Sequence, residues 1–211
     1  MLVTGLSYLQ QGRLTLQTGT ALPAARSLLE LAEQQNLAEQ LLAEPSTAQL
    51  LDAIEFAYQH QYEHAAGTEF ELKGIAFAGQ GDPLLAMELL AEVLPVLKAR
   101  RHGVPITLVT YGLVPPASAA ALCEQLNQLG VEQLEVYLPV ANPPAYQQLV
   151  QPKAGSFSDV CQFIHSAAEA GLQVSCFAYQ PVKHTAELRQ LARELGARAF
   201  IPVPVEQHRL L

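Results

Sequence analysis

The sequence predicts an α/β fold with parallel strands, and three observations carry that prediction. Short apolar runs alternate with helical patterns along the chain. Glycine or proline marks most of the boundaries between them. Half of the 211 residues are hydrophobic and only 15% are charged, which is enough apolar material for a sizeable core. No linker divides the chain, so residues 1–211 read as one domain. About six strands are too few for a full eight-stranded barrel. An open doubly wound sheet and a partial β/α barrel both remain.

The elements follow in order. LVTGLSYL and RLTLQT flank Gln10-Gln11-Gly12 and read as a hairpin leading into the first parallel strand. PAARSLLELAEQQNLAEQLLAE is helical in composition. Pro45-Ser46 then interrupts, and Ser46 is placed to cap TAQLLDAIEFAYQHQ. LKGIAFA is a buried strand, followed by a helix from Pro83 that Pro95 should kink or end. PITLVTYG is a strand, and PASAAALCEQLNQLG a helix closed by Gly130. LEVYLPV is a strand, followed by the turn-rich ANPPAY. FSDVCQFIHSAAEAG is a helix ending at Gly171, and LQVSCFAY a strand. TAELRQLARELG is a helix ending at Gly196, and ARAFIPVPV a last strand weakened by Pro202 and Pro204.

Charge and composition exclude several classes of partner. The formal net charge is -8 and the 12 Lys and Arg residues are scattered, so no nucleic acid is expected. The apolar runs fall short of the ~18 residues that suggest a membrane span. MLVTGLSYLQQGR lacks the basic start of a signal peptide, which makes the cytoplasm the expected location. Cys123, Cys161 and Cys176 lie in apolar contexts with no Cys-x-x-Cys pair. They read as buried thiols rather than a disulfide framework or a zinc site.

In either architecture ligands bind at the carboxyl ends of the strands. That rim would hold Thr18-Gly19, Gly79 to Asp82, Thr110-Tyr111, Pro139 to Asn142 and Tyr179-Gln180. The segment AGQGDPLL draws most interest. Gly79 and Gly81 permit a close approach of backbone to a ligand. Asp82 can cap the next helix, with Pro83 at its first position. A well-built turn explains these residues too, and the segment is not a G-x-G-x-x-G fingerprint, since Leu84 stands at the third glycine position. HQYEH matches H-x-x-E-H, with His60 and His64 one helical turn apart and Glu63 between them, but no third ligand follows. No G-x-S-x-G elbow is present.

RLTLQT, then FAGQGDPLL, then ITLVTYG, then LEVYLPVANPPAYQQLVQP, in that order and spacing, resemble the radical S-adenosylmethionine enzymes, in particular their short, single-domain, TatD-linked members. The similarity spans roughly residues 1 to 205. It implies a partial (β/α)6-type TIM-like barrel. It also implies a C-x-x-x-C-x-x-C loop after the first strand, whose thiolates would hold a [4Fe–4S] cluster. The matching loop here is GTALPAARSL, in which Ala21, Ala25 and Leu28 occupy the three positions, and none can bind iron. The resemblance makes Gly79, Gln80, Gly81 and Asp82 the segment that would bind the cofactor's methionine amine, and matches Thr110 and Gly112 to a Thr-x-Gly segment, with Tyr111 in place of Asn. The later adenine-binding segment is not recognisable in CFAYQPVKHTAE.

The hard chemistry of such enzymes belongs to cluster and cofactor. The expectation is therefore a cluster-less, catalytically inactive relative that acts as a binding or partner subunit, alone or as a homo-oligomer, with no cofactor required. The apolar segment 23–42 would fill part of the vacated cleft. The alternative is a protein that binds S-adenosylmethionine or another nucleoside without a cluster, through Gly79, Gln80, Gly81, Asp82 and Thr110. A third reading is an enzyme of different chemistry on the same rim, metal-assisted through His60 and His64.

Overall fold

The computed structural model describes residues 3–10, 13–18, 46–55 except 49 and 53, 74–78, 82–100 and 103–203. Strand β1 (Val3–Gln10) pairs antiparallel with β2 (Arg13–Thr18), and Gln10 meets Arg13 at the closed end of the expected hairpin. From β2 onward every pairing is parallel: β3 (Gly74–Ala78), β4 (Ile106–Thr110), β5 (Gln133–Tyr137), β6 (Gln173–Tyr179) and β7 (Ala199–Val203).

The order of strands in space is their order in sequence. This decides between the two architectures. A doubly wound sheet reverses its strand order at a switch point, and this sheet does not. Sequential order with right-handed crossovers puts every helix on the same face. The sheet is wound in one direction, as a partial (β/α)6-type TIM-like barrel, with helices outside and the other face turned inward.

The helices earn their places by apolar spacing. In α1 (Met87–Arg100) the buried residues are Leu90, Val93, Leu94 and Leu97. In α2 (Pro116–Gln128) they are Ala119, Cys123 and Leu126. In α4 (Phe157–Glu169) they include Val160, Phe163, Ile164 and Ala167, and in α5 (Thr185–Glu194) Leu188 and Ala192. Each set follows the three- and four-residue steps of one helix face. Full burial of each large side chain contributes ~1.5–3 kcal/mol. The glycines that close α2, α4 and α5 take the left-handed conformation, as expected. Lys98 at the end of α1 pairs with Glu132 before β5; the pair is partly exposed, so it contributes about 1 kcal/mol or less.

Two elements depart from the sequence expectation. Pro95 does not end the helical pattern, since α1 runs through it to Arg100. Pro95 is exposed, so the carbonyl one turn back that loses its amide partner can bond to water. The turn-rich ANPPAY starts a helix, α3 (Pro143–Val150). Asn142 Oδ1 accepts from Ala145 N at 2.9 Å, and the adjoining prolines need no amide partner in the first turn. At the other edge, Pro202 sits in β7, which ends the described sheet and so has no further strand to bond there. Among the described residues no helix is long and apolar enough to cross a membrane.

Candidate functional site

Alternation along the strands separates the two faces. Ile75, Leu108, Leu134, Val136, Val174 and Cys176 point into the helix-covered core. The register sets Thr107 beside Gln133, Val109 beside Glu135, and Tyr137 beside Phe177. These residues, with Tyr111 and Tyr179, share the inner face. Near the start of the strands that face is polar, and Thr107 Oγ1 bonds Gln133 Oε1 at 3.2 Å. Toward the carboxyl ends it becomes aromatic.

Tyr137 is the hub of that aromatic mouth. Its ring centroid lies 5.5 Å from Tyr111, 5.5 Å from Phe177 and 5.7 Å from Tyr179, and Phe177 stands 5.6 Å from Tyr179. The tilted and edge-on contacts contribute ~0.5–1.5 kcal/mol each beyond their burial. Tyr111 and Phe177 are buried, whereas Tyr137 and Tyr179 are partly open. Burial pushes the Tyr137 hydroxyl up to about 12. Burial also raises Tyr179, with Tyr137 and Glu135 adding to it. Burial raises Tyr111 well above the ordinary phenol, assisted by the neighbouring tyrosines and Asp82. All three phenols therefore stay protonated at neutral pH and offer hydrogen bonds, not base catalysis.

The mouth is anchored by Asp82. As expected, it caps the turn that starts at Pro83, with Oδ1 accepting from Leu84 N at 3.0 Å. Its other oxygen reaches across to β4, accepting from Thr110 Oγ1 at 2.7 Å and Tyr111 N at 3.0 Å. Gly112 N donates to Thr110 Oγ1 at 2.9 Å, extending the chain of bonds. Asp82 and Thr110, two of the sequence-predicted site residues, are thus brought together, and both are buried. Their polar atoms serve each other and fix the backbone that carries Tyr111.

Burial pushes the Asp82 carboxyl up, while Thr110, Leu84 and Tyr111 pull it down by hydrogen bonding, and the net direction is up. The folded group then holds its proton more tightly than the unfolded one. Its contribution to stability is full below the ordinary carboxylate range and declines as pH rises through the folded pKa. Urea unfolding of the native chain and Asp82→Asn should show a stability difference that is larger in acid than at neutral pH. A difference that grows with pH would contradict this sign.

Gly79, Gln80 and Gly81 lie outside the described residues, as do Ala21, Ala25, Leu28, His60, Glu63 and His64. Cys123 and Cys176 are buried and Cys161 partly so, and burial pushes their thiols up to about 12, about 12 and about 11. They sit on α2, β6 and α4 and do not fit the ligand set of an iron–sulfur cluster. Among the described residues no three His, Cys, Asp or Glu side chains gather as a metal ion would need.

Outside the barrel, a groove of about 410 Å³ runs between the Pro83–Ala86 turn and α2. Leu84, Leu85, Leu113 and Leu122 line it with Ser118 and Gln125. Leu85 on its lip is 60% exposed.

The sequence reading did not single out Tyr137 or Phe177, and it met Tyr146 only as the end of the Asn-Pro-x-x-Tyr turn in the segment LEVYLPVANPPAYQQLVQP that carries the resemblance. A signal existed. The runs ITLVTY, LEVY and CFAY all end in tyrosine, so a parallel register sets aromatic rings side by side at the carboxyl ends.

The chain matches no protein-family model, and no curated protein is similar to it. Among solved structures it is similar to methylornithine synthase (PylB), with 18% identity and a TM-score of 0.44 over 63% of this chain and 40% of that one. It is also similar to a protein described as a phosphonomutase from Burkholderia cenocepacia J2315, with 14% identity and a TM-score of 0.39 over 66% of this chain and 62% of that one. The match thus spans less than two thirds of either, and the likeness has no bearing on activity.

Proposed function

We propose that this chain is a cluster-less, catalytically inactive relative of the radical S-adenosylmethionine enzymes that acts as a binding subunit, with S-adenosylmethionine or another nucleoside as its ligand. The observation that carries the reading is the aromatic mouth, where partly open Tyr137 and Tyr179 stand at the carboxyl ends of adjacent strands. Planar bases stack on such rings without needing charge. Gly79, Gln80 and Gly81 would supply backbone contacts beside them, with Asp82 and Thr110 holding that rim in place. The inactivity rests on Ala21, Ala25 and Leu28, which offer iron no ligand.

Calorimetric titration with S-adenosylmethionine and with adenosine tests the binding. Loss of one stacking ring removes ~1–3 kcal/mol, so Tyr137→Ala should weaken affinity by roughly 5- to 150-fold. A native chain that gives no heat with either compound counts against the reading. Anaerobic iron–sulfur reconstitution tests the inactivity, with a colourless, iron-free product expected. A brown protein with stoichiometric iron would sink it.

A second reading, a partner subunit, is favoured by Leu85, which stands exposed at the lip of an apolar groove. Sedimentation tests it: a native chain that remains monomeric at all concentrations argues against self-association.

A further inference from the structure

The inner face of β5 and β6 carries a charge that the stacking of a base does not explain. Leu134 and Val136 on β5, and Val174 and Cys176 on β6, point into the helix-covered core. Glu135, Tyr137, Ser175, Phe177 and Tyr179 therefore share the opposite face. The register sets Glu135 between Val109 of β4 and Ser175 of β6, and Tyr137 beside Phe177. Glu135 thus stands two residues below the rings on the same face, roughly 7 Å along the strand. In keeping with that place, it raises the Tyr179 phenol. Glu135 is only partly buried, as are Tyr137 and Tyr179, so solvent reaches acid and rings alike.

Strands β3 to β7 contain this one carboxylate and no Lys, Arg or His. The basic residues that follow β6, Lys183 and His184, are exposed, and His184 faces Glu187 at 3.2 Å. Aromatic rings above an acid attract positive charge, because the ring quadrupole and the carboxylate act in the same direction. A base covers one ring, whereas the mouth holds four in contact and two of them are partly open. Aromatic surface is therefore left for a second group of the same ligand.

We propose that the mouth is a site for an organic cation, with Tyr137 and Tyr179 offering their faces to the positive group and Glu135 as its counter-charge. The proposal rests on the reading of the mouth as a nucleoside site. It narrows that reading to S-adenosylmethionine, whose sulfonium carries the charge, over uncharged nucleosides.

The test titrates S-adenosylmethionine, S-adenosylhomocysteine and adenosine into the native chain, Glu135→Gln and Tyr137→Ala, with a thermal melt of each protein. The first two compounds differ by the sulfonium methyl and its charge. The native chain should bind the sulfonium at least roughly tenfold more tightly than the thioether. Glu135→Gln should reduce that preference by about 3- to 10-fold through the sulfonium alone, because Gln keeps the shape and removes the charge. A Glu135→Gln that weakens both sulfur compounds equally, or neither, overturns the proposal. So does a native chain that binds the thioether or adenosine as tightly as the sulfonium; if Tyr137→Ala then loses them all, the nucleoside reading still stands. If Glu135→Gln melts far below the native chain, added salt decides on the native chain itself. A preference that shrinks as salt rises supports the counter-charge, and one that does not overturns it. No binding of any of the three compounds by the native chain overturns the proposal and the reading together.

Discussion

Asp82→Ala is expected to destabilise the chain by about 3 kcal/mol, lowering its melting temperature by roughly 6–12 °C. The substitution strands three donors at once: Leu84 N, the Thr110 hydroxyl and Tyr111 N. The last two are buried, where an unmet donor costs ~1–3 kcal/mol. Removing a desolvated carboxyl offsets part of that loss. Asp82→Asn keeps the shape and one acceptor, so it should cost less, about 1–2 kcal/mol. The near-ultraviolet circular dichroism should also weaken in Asp82→Ala, because the backbone that aims Tyr111 at Tyr137 loses its anchor. An alanine variant that melts with the native chain would mean that the bond network does not hold the rim.

Such a network shows where sequence reasoning reaches and where it stops. Asp82-Pro83 was legible as a cap, because a short acid followed by proline satisfies the first turn by local geometry alone. Thr110 and Gly112 lie some thirty residues further along, and only the parallel pairing of β3 with β4 brings Thr110 to Asp82. The strand and helix order was likewise legible, since alternating apolar periods and closing glycines are local signals. Local signals failed where burial decides. Pro95 reads as a breaker, but an exposed carbonyl tolerates its missing amide, and exposure is a tertiary property. ANPPAY reads as a turn, yet Asn142 and the two prolines form a helix start once YQQLV continues it.

The aromatic mouth stayed hidden for a related reason. Tyr111, Tyr137 and Tyr179 are each unremarkable alone. They become a surface only when sequential strand order and register are both known. Tyr146 was met as the end of an Asn-Pro-x-x-Tyr turn, but its burial on a helix follows only from the structure. The cluster positions Ala21, Ala25 and Leu28 are the reverse case. They were legible because chemistry at those places demands one residue type.

Gly112→Ala should be the other large effect, at roughly 2–5 kcal/mol of lost stability. Gly112 has φ +66, a conformation that costs an L-residue ~1–2 kcal/mol. A Cβ there would also stand 2.8 Å from Phe163 Cδ1 and 3.1 Å from Val136 Cγ1. Phe163 is fully buried on α4 and has no free space to yield into, so overpacking adds ~1–3 kcal/mol. The two causes can be separated. On a Phe163→Leu background the steric part shrinks while the backbone part remains, so Gly112→Ala should cost less by about 1 kcal/mol or more. The same cost on both backgrounds would place the whole effect in the backbone. A neutral Gly112→Ala would instead mean that the loop after β4 moves freely, and then neither Thr110 nor Asp82 could hold Tyr111 where the mouth requires it.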